Sequence, residues 1–151
     1  MYNPRMRRFF VVCIVVVNMG CAMSATRLYD GAELPRSQVV VLLDSSEAGV
    51  YAVDGTRTFG SAWTLTPGEH EVWLEVRLRT QVPNVNWTIW SYCRHRLVAL
   101  SGEEYTARVR TRKTVVHGIA DKVQIEVAIV DRAGNAVAAP AACDGERPTF
   151  D

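Results

Sequence analysis

Three histidines, four cysteines, four tryptophans and a set of alternating arginines are the residues of this 151-residue chain whose types could do chemistry. His70, His95 and His117 lie far apart, and none stands at a metal-ligand spacing from another histidine or a carboxylate. No G-x-S-x-G elbow, phosphate-cradling glycine loop, paired-carboxylate motif or C-x-x-C pair occurs. The reading is therefore of a chain that is not an enzyme and carries no metal or cofactor. Arginines recur at every second position, at Arg77 and Arg79, at Arg94 and Arg96, and at Arg108, Arg110 and Arg112 followed by Lys113. In a strand that spacing puts each set on one face. If the strands are neighbours, the arginines form a basic stripe fit for an anionic envelope polymer or lipid phosphates. Cross-strand pairing with Glu71, Glu75, Glu103, Glu104 and Glu126 is the alternative, and needs no ligand. Trp87 and Trp90 fall in Thr80 to Trp90, a segment richer in aromatics than a connecting loop requires. It is read either as an exposed contact loop or as a cap on the open end of a sandwich.

The elements that must position these residues begin after an export signal. Arg5, Arg7 and Arg8 precede the apolar run Phe9 to Val17, and Gly20-Cys21 follows. A run of that length falls short of the ~20 residues a spanning helix needs. The small residue before Cys21 resembles a bacterial lipobox, which implies cleavage after residue 20, acylation of Cys21, and a membrane held through an N-terminal lipid anchor. An ordinary cleaved signal or an uncleaved anchor is the other reading. Ala22 after the cysteine implies, by the same resemblance, an outer-membrane protein facing the periplasm. Removal of residues 1–20 takes three arginines away, leaving 14 basic groups against 16 acidic ones. A net charge of −2 excludes a polycationic nucleic-acid binder. With Cys13 discarded and Cys21 acylated, Cys93 and Cys143 are left as a pair in an oxidising compartment, read as a disulfide. Two buried free thiols are the alternative.

Organisation is clearest from Tyr51 to Arg79. After Thr66-Pro67-Gly68-Glu69, a turn in which glycine supplies positive φ, Val72, Leu74, Val76 and Leu78 alternate with Glu71, Trp73, Glu75, Arg77 and Arg79. That is the period of a half-buried strand. Val50 to Val53 is a short strand ending in the turn dipeptide Asp54-Gly55. Further strands are predicted over Ser91 to Leu100, over Glu104 to Arg112 with Tyr105, Ala107 and Val109 inward, and over Val123 to Val130 with Val123, Ile125, Val127 and Ile129 inward. Gln38 to Leu43 is a buried strand or a short helical turn after Pro35, and Ala136 to Ala139 is a last edge strand stopping at Pro140. Regular strand spacing without an amphipathic helix predicts a small antiparallel β-sandwich. The divisions are residues 1–20 as signal, 21–37 as lipidated tether, and 38–151 as the sandwich domain.

The order Val53-Asp54-Gly55, Gly60, Trp63 to Leu65, Pro67-Gly68-Glu69-His70 and Val72 to Val76 resembles a PEGA-type β domain and the small bacterial lipoproteins that carry one. The resemblance covers about thirty residues and implies an immunoglobulin-like all-β fold. The function expected is a structural or interaction module of the cell envelope, partnered by an envelope protein or anionic polymer. The alternative is a carrier holding a small molecule or lipid between its sheets.

Overall fold

The computed structural model describes residues 25–82, 85–114, 122–139, 141–143 and 146–150. The signal, Cys21 and His117 lie outside the described residues, as do the side chains of Trp87, Arg112, Lys113 and Val123. Ten strands follow in chain order: β1 (Thr26–Arg27), β2 (Val40–Leu43), β3 (Ala48–Val53), β4 (Thr56–Arg57), β5 (Ala62–Leu65), β6 (Gly68–Val82), β7 (Val85–Ala99), β8 (Glu104–Thr114), β9 (Lys122–Asp131) and β10 (Ala141–Ala142). A 3-10 turn at Arg36–Gln38, entered from Pro35, precedes β2. Both alternatives for residues 38–43 are therefore realised in succession.

The fold is an all-β sandwich. A six-stranded sheet has the order β1-β5-β2-β8-β9-β10, and a four-stranded sheet has the order β4-β3-β6-β7. Most pairings are antiparallel, but β1 with β5 and β2 with β8 are parallel. The alternation of β6 holds: Val72, Leu74 and Val76 are buried and Leu78 is partly buried. Tyr105, Ala107, Ile125, Val127 and Ile129 meet them from the other sheet. Trp63 and Leu42 fill the centre, fully buried. At roughly 25 cal/mol per Å² of apolar surface removed from water, this packing is what holds the layers together.

The chain changes sheets between β2 and β3, between β4 and β5, between β5 and β6, and between β7 and β8. The first crossing is tied by Asp44, whose Oδ1 accepts the Val50 N–H at 2.7 Å. Burial pushes the Asp44 carboxyl above its ordinary value, and that bond offsets part of the shift. The second is tied by Thr58, whose hydroxyl donates to the Val50 carbonyl at 2.7 Å and whose N–H donates to that of Tyr51. Between β3 and β4 the turn is Asp54-Gly55, both at positive φ (48° and 76°), the conformation that matches the twist of a hairpin.

Four features depart from what the sequence pattern alone indicates. Ala62–Leu65 lies between two turns of the four-stranded sheet in sequence, yet it pairs in the other sheet. The period of a strand tells its two faces apart but does not select its neighbour. Thr80 to Trp90 is no connecting loop: β6 runs to Val82 and β7 starts at Val85, so the β-branched and aromatic residues Thr88, Ile89 and Trp90 prevail over the loop signals around them. Ala136 makes only an isolated bridge to Val130, and the edge strand falls beyond Pro140, which has no N–H to give a ladder. The domain also takes in part of the expected tether, since β1 pairs with β5 and Leu28 packs on the core.

Cys93 and Cys143 form a disulfide, with Cα atoms 4.4 Å apart at a sequence separation of 50. Cys93 sits in β7, the outermost strand of the four-stranded sheet, and Cys143 directly follows β10, the outermost strand of the other. The bond therefore closes one open side of the sandwich. Replacing both cysteines by alanine is expected to lower the unfolding free energy in urea by roughly 2–4 kcal/mol, as a loop of this length implies. Urea curves of parent and variant that coincide would show that the bond closes nothing.

Candidate functional site

The strands are of unequal length, and that inequality shapes the surface. β3 pairs with β6 only from Val72 to Val76, and β2 pairs with β8 only from Glu104 to Thr106. Beyond those points β6 and β7 continue as a pair to Val82 and Val85, and β8 and β9 to Thr114 and Lys122. Both continuations lie past the β2–β3 connection, so two hairpin arms leave the same end of the body. Leu78, Ile89 and Val109 pack their inner faces against the core. Trp90, 48% exposed, lies on the outer side of one arm with the Arg77 guanidinium 5.0 Å from its ring centre. Arg108 and Arg110 are exposed on the other.

The arginines do not form one stripe. Arg77 and Arg79 on β6 and Arg94 and Arg96 on the neighbouring β7 share the four-stranded sheet, whereas Arg108, Arg110 and Arg112 stand on β8 in the six-stranded sheet, so the three sets are not all neighbours. On the four-stranded sheet, carboxylates of β6 answer the arginines. Arg94 pairs with Glu71 at 3.0 Å, Arg96 with Glu69, and Arg77 grips Glu75 through Nε and Nη2 at 2.9 and 2.8 Å. The first two pairs are diagonal across the ladder, since Glu71 is in register with Arg96 and Trp73 with Arg94. Such exposed pairs contribute about 0–1 kcal/mol each, but they neutralise the face.

On the six-stranded sheet, Glu104 accepts from both Arg36 and Arg132 at 3.2 Å. Arg108 reaches only the Gly134 carbonyl, at 3.5 Å, and neither Arg108 nor Arg110 forms an ion pair among the described residues. Glu126 is the register partner of Arg110, and with both arginines it lines a small depression of about 130 Å³. Uncommitted positive charge thus sits on this face.

A larger cleft of about 540 Å³ opens beside Asp54, Glu69, His70, Glu71, Arg94 and Arg96. His70 is pinned there, with Nδ1 2.6 Å from Asp54 Oδ2 and Nε2 2.7 Å from the Thr66 carbonyl. Asp54 also accepts the Glu71 N–H at 2.8 Å. Both ring nitrogens are engaged, so His70 fastens the β3–β4 turn to β6 and has no free nitrogen to pass a proton to a substrate. His95 faces the interior from β7 and is 3% exposed. Neither of its nitrogens has a well-formed hydrogen bond among the described residues. Burial lowers its pKa, and the nearby Ala139 backbone offsets this only in part.

Sequence reasoning missed a cluster on the outer side of the four-stranded sheet, where Tyr51, Ala52, Trp73 and Tyr92 gather under Phe150. The one available signal was the run Val50 to Val53, which breaks strict alternation. No protein-family model, curated protein or solved structure matches the chain.

His95 gives a pH dependence of known sign. Its folded-state pKa is depressed, so the unfolded chain takes up a proton first, near the ordinary histidine value of about 6.5. The stability it contributes is complete above that pH and is lost as the pH falls below it toward the folded value. The urea midpoint of the parent is expected to drop between pH 7.5 and pH 5.5, with a flatter profile for His95→Leu. Profiles of equal slope would mean that His95 is not the group responsible.

Proposed function

We propose that the protein is a lipid-anchored interaction module of the cell envelope, tethered through Cys21 and facing the periplasm at the outer membrane. The arms' free end and the unpaired arginines of the six-stranded sheet meet an anionic surface there. The observation that carries this reading is the contrast between the two faces. Arg94 and Arg96 are neutralised by Glu71 and Glu69, while Arg108 and Arg110 make no ion pair among the described residues. Unpaired arginines on one arm and an exposed tryptophan on the other suit phosphate-bearing envelope lipid or polymer, since arginine binds phosphate and tryptophan favours the interface. The resemblance of Gly20-Cys21 to a lipobox and of residues 53–76 to a PEGA-type domain agrees with an exported, anchored module. A disulfide agrees with an oxidising compartment.

The carrier reading, with a ligand between the sheets, has less support. Trp63, Leu42, Leu65, Leu74, Leu97 and Ile129 already occupy that space.

Two measurements test the proposal. Labelling with a radioactive fatty acid in a bacterial host is expected to mark the parent and not Cys21→Ser; label retained in that variant would remove the anchor. In co-sedimentation with phosphatidylglycerol-containing vesicles, Arg108→Glu/Arg110→Glu is expected to weaken binding at least ~10-fold at low salt, where surface charge is least screened. Arg94→Glu/Arg96→Glu is expected to fall well short of that loss. Equal losses for the two pairs would sink the assignment of the basic face.

A further inference from the structure

The aromatic cluster on the four-stranded sheet originates in a bulge. Val50 is in register with Leu74 and Ala52 with Trp73, which leaves Tyr51 as an extra residue in β3. A bulge re-aims side chains, and here Tyr51 joins Trp73 and Tyr92 outside the core. The Tyr51 and Tyr92 rings meet edge to face at 5.1 Å. Both tyrosines are buried, although a two-layer sandwich turns this face to solvent. They are buried beneath the chain's own segment beyond the disulfide. The Phe150 ring centre is 6.1 Å from those of Tyr51 and Trp73. Arg147 Nε donates to the Tyr51 hydroxyl oxygen at 2.7 Å, and its guanidinium lies 5.4 Å from the ring centre.

Two carboxylates of β6 fix the polar ends of these rings. Tyr92 donates its hydroxyl proton to Glu75 at 3.2 Å, and the Trp73 indole N–H donates to Glu71 at 2.9 Å. The Tyr51 bond raises the Arg147 pKa above its ordinary value. Glu71 and Glu75 are already paired with Arg94 and Arg77, so the ring faces rather than net charge are what attract a guanidinium and an aromatic group here.

We propose that the Tyr51–Trp73–Tyr92 face is a recognition site for a segment of a partner protein that places an arginine three residues before an aromatic residue, and that Arg147 to Phe150 occupy it in cis. The resident segment displays the occupant's chemistry directly, and among the described residues it meets the cluster through the Arg147 guanidinium and the Phe150 ring. Cys143 is bonded to β7 within the same sheet, so a short tether gives the segment an effective concentration in the millimolar range. Occupancy then reflects tethering more than affinity, and an external segment with the same two anchors displaces it by competition. The site shares no residue with the basic face of the six-stranded sheet, so either assignment can fail without the other.

The test uses the full chain carrying Arg147→Ala/Phe150→Ala, which vacates the site, and a capped Glu-Arg-Pro-Thr-Phe peptide as the probe. The Trp73 indole N–H resonance reports binding. The vacated variant is expected to bind the peptide at least ~10-fold more tightly than the parent, whose own segment competes, and Tyr51→Ala added to it is expected to abolish binding. No binding by the vacated variant, or equal affinity in the parent, overturns the proposal. If the double variant does not fold, Phe150→Ala alone is titrated against the same two outcomes. A concentration-dependent dimer of the parent that disappears in the vacated variant would make the occupant a second copy and overturn the assignment to a separate partner.

Discussion

The Cys93–Cys143 bond is the constraint on which the arrangement of this protein's C-terminal third depends. A sandwich has two open sides. One is closed by backbone, where the chain crosses from β2 to β3 and from β4 to β5 and Asp44 and Thr58 tie the crossings to Val50 and Tyr51. On the other, β7 and β10 are the last strands of their sheets, and β10 is two residues long. Pairing of Ala141 and Ala142 with Val127 and Glu126 is too little to hold a chain end by itself. The covalent bond supplies the rest. It holds Ala138 and Val137 over the core, keeps His95 dry, and directs residues 146–150 back across the four-stranded sheet.

From that closure follows a division of labour between the faces. On the four-stranded sheet Glu69 and Glu71 of β6 pair with Arg96 and Arg94 of β7, and the chain's own segment covers the aromatic cluster. The six-stranded sheet leaves Arg108 and Arg110 open toward solvent. Of the two described histidines, His70 has both ring nitrogens engaged by Asp54 and Thr66, and His95 is enclosed.

Much of this was legible in the residues. The alternation of Val72, Leu74 and Val76 against Glu71 and Glu75 identified the buried face of β6 because burial on one side imposes a period of two. Asp54-Gly55 marked its hairpin because both positions need positive φ. The pairing of Cys93 with Cys143 followed from an expected export signal and the count of thiols it would leave. Three features were hidden for physical reasons. Sheet membership, as for Ala62–Leu65, depends on where a crossing carries the chain and leaves no mark on the strand's own period. The arms were obscured because Pro83 and the asparagines around Trp87 are loop formers by composition, while Thr88, Ile89 and Trp90 favour a strand. The cluster at Tyr51 depended on a single inserted residue, which looks like noise in a four-residue strand.

Hydrogen exchange on the folded protein, with and without reductant, tests the central claim most directly. If the disulfide holds the C-terminal segment in place, reduction raises exchange across residues 137–143 and 146–150 and along β7 near Cys93, while the β3–β6 and β2–β5 ladders keep their protection. A C-terminal segment that exchanges as slowly after reduction as before would show that β10 and the packing of Val137 suffice, and that the bond is not the constraint on which this side of the sandwich depends.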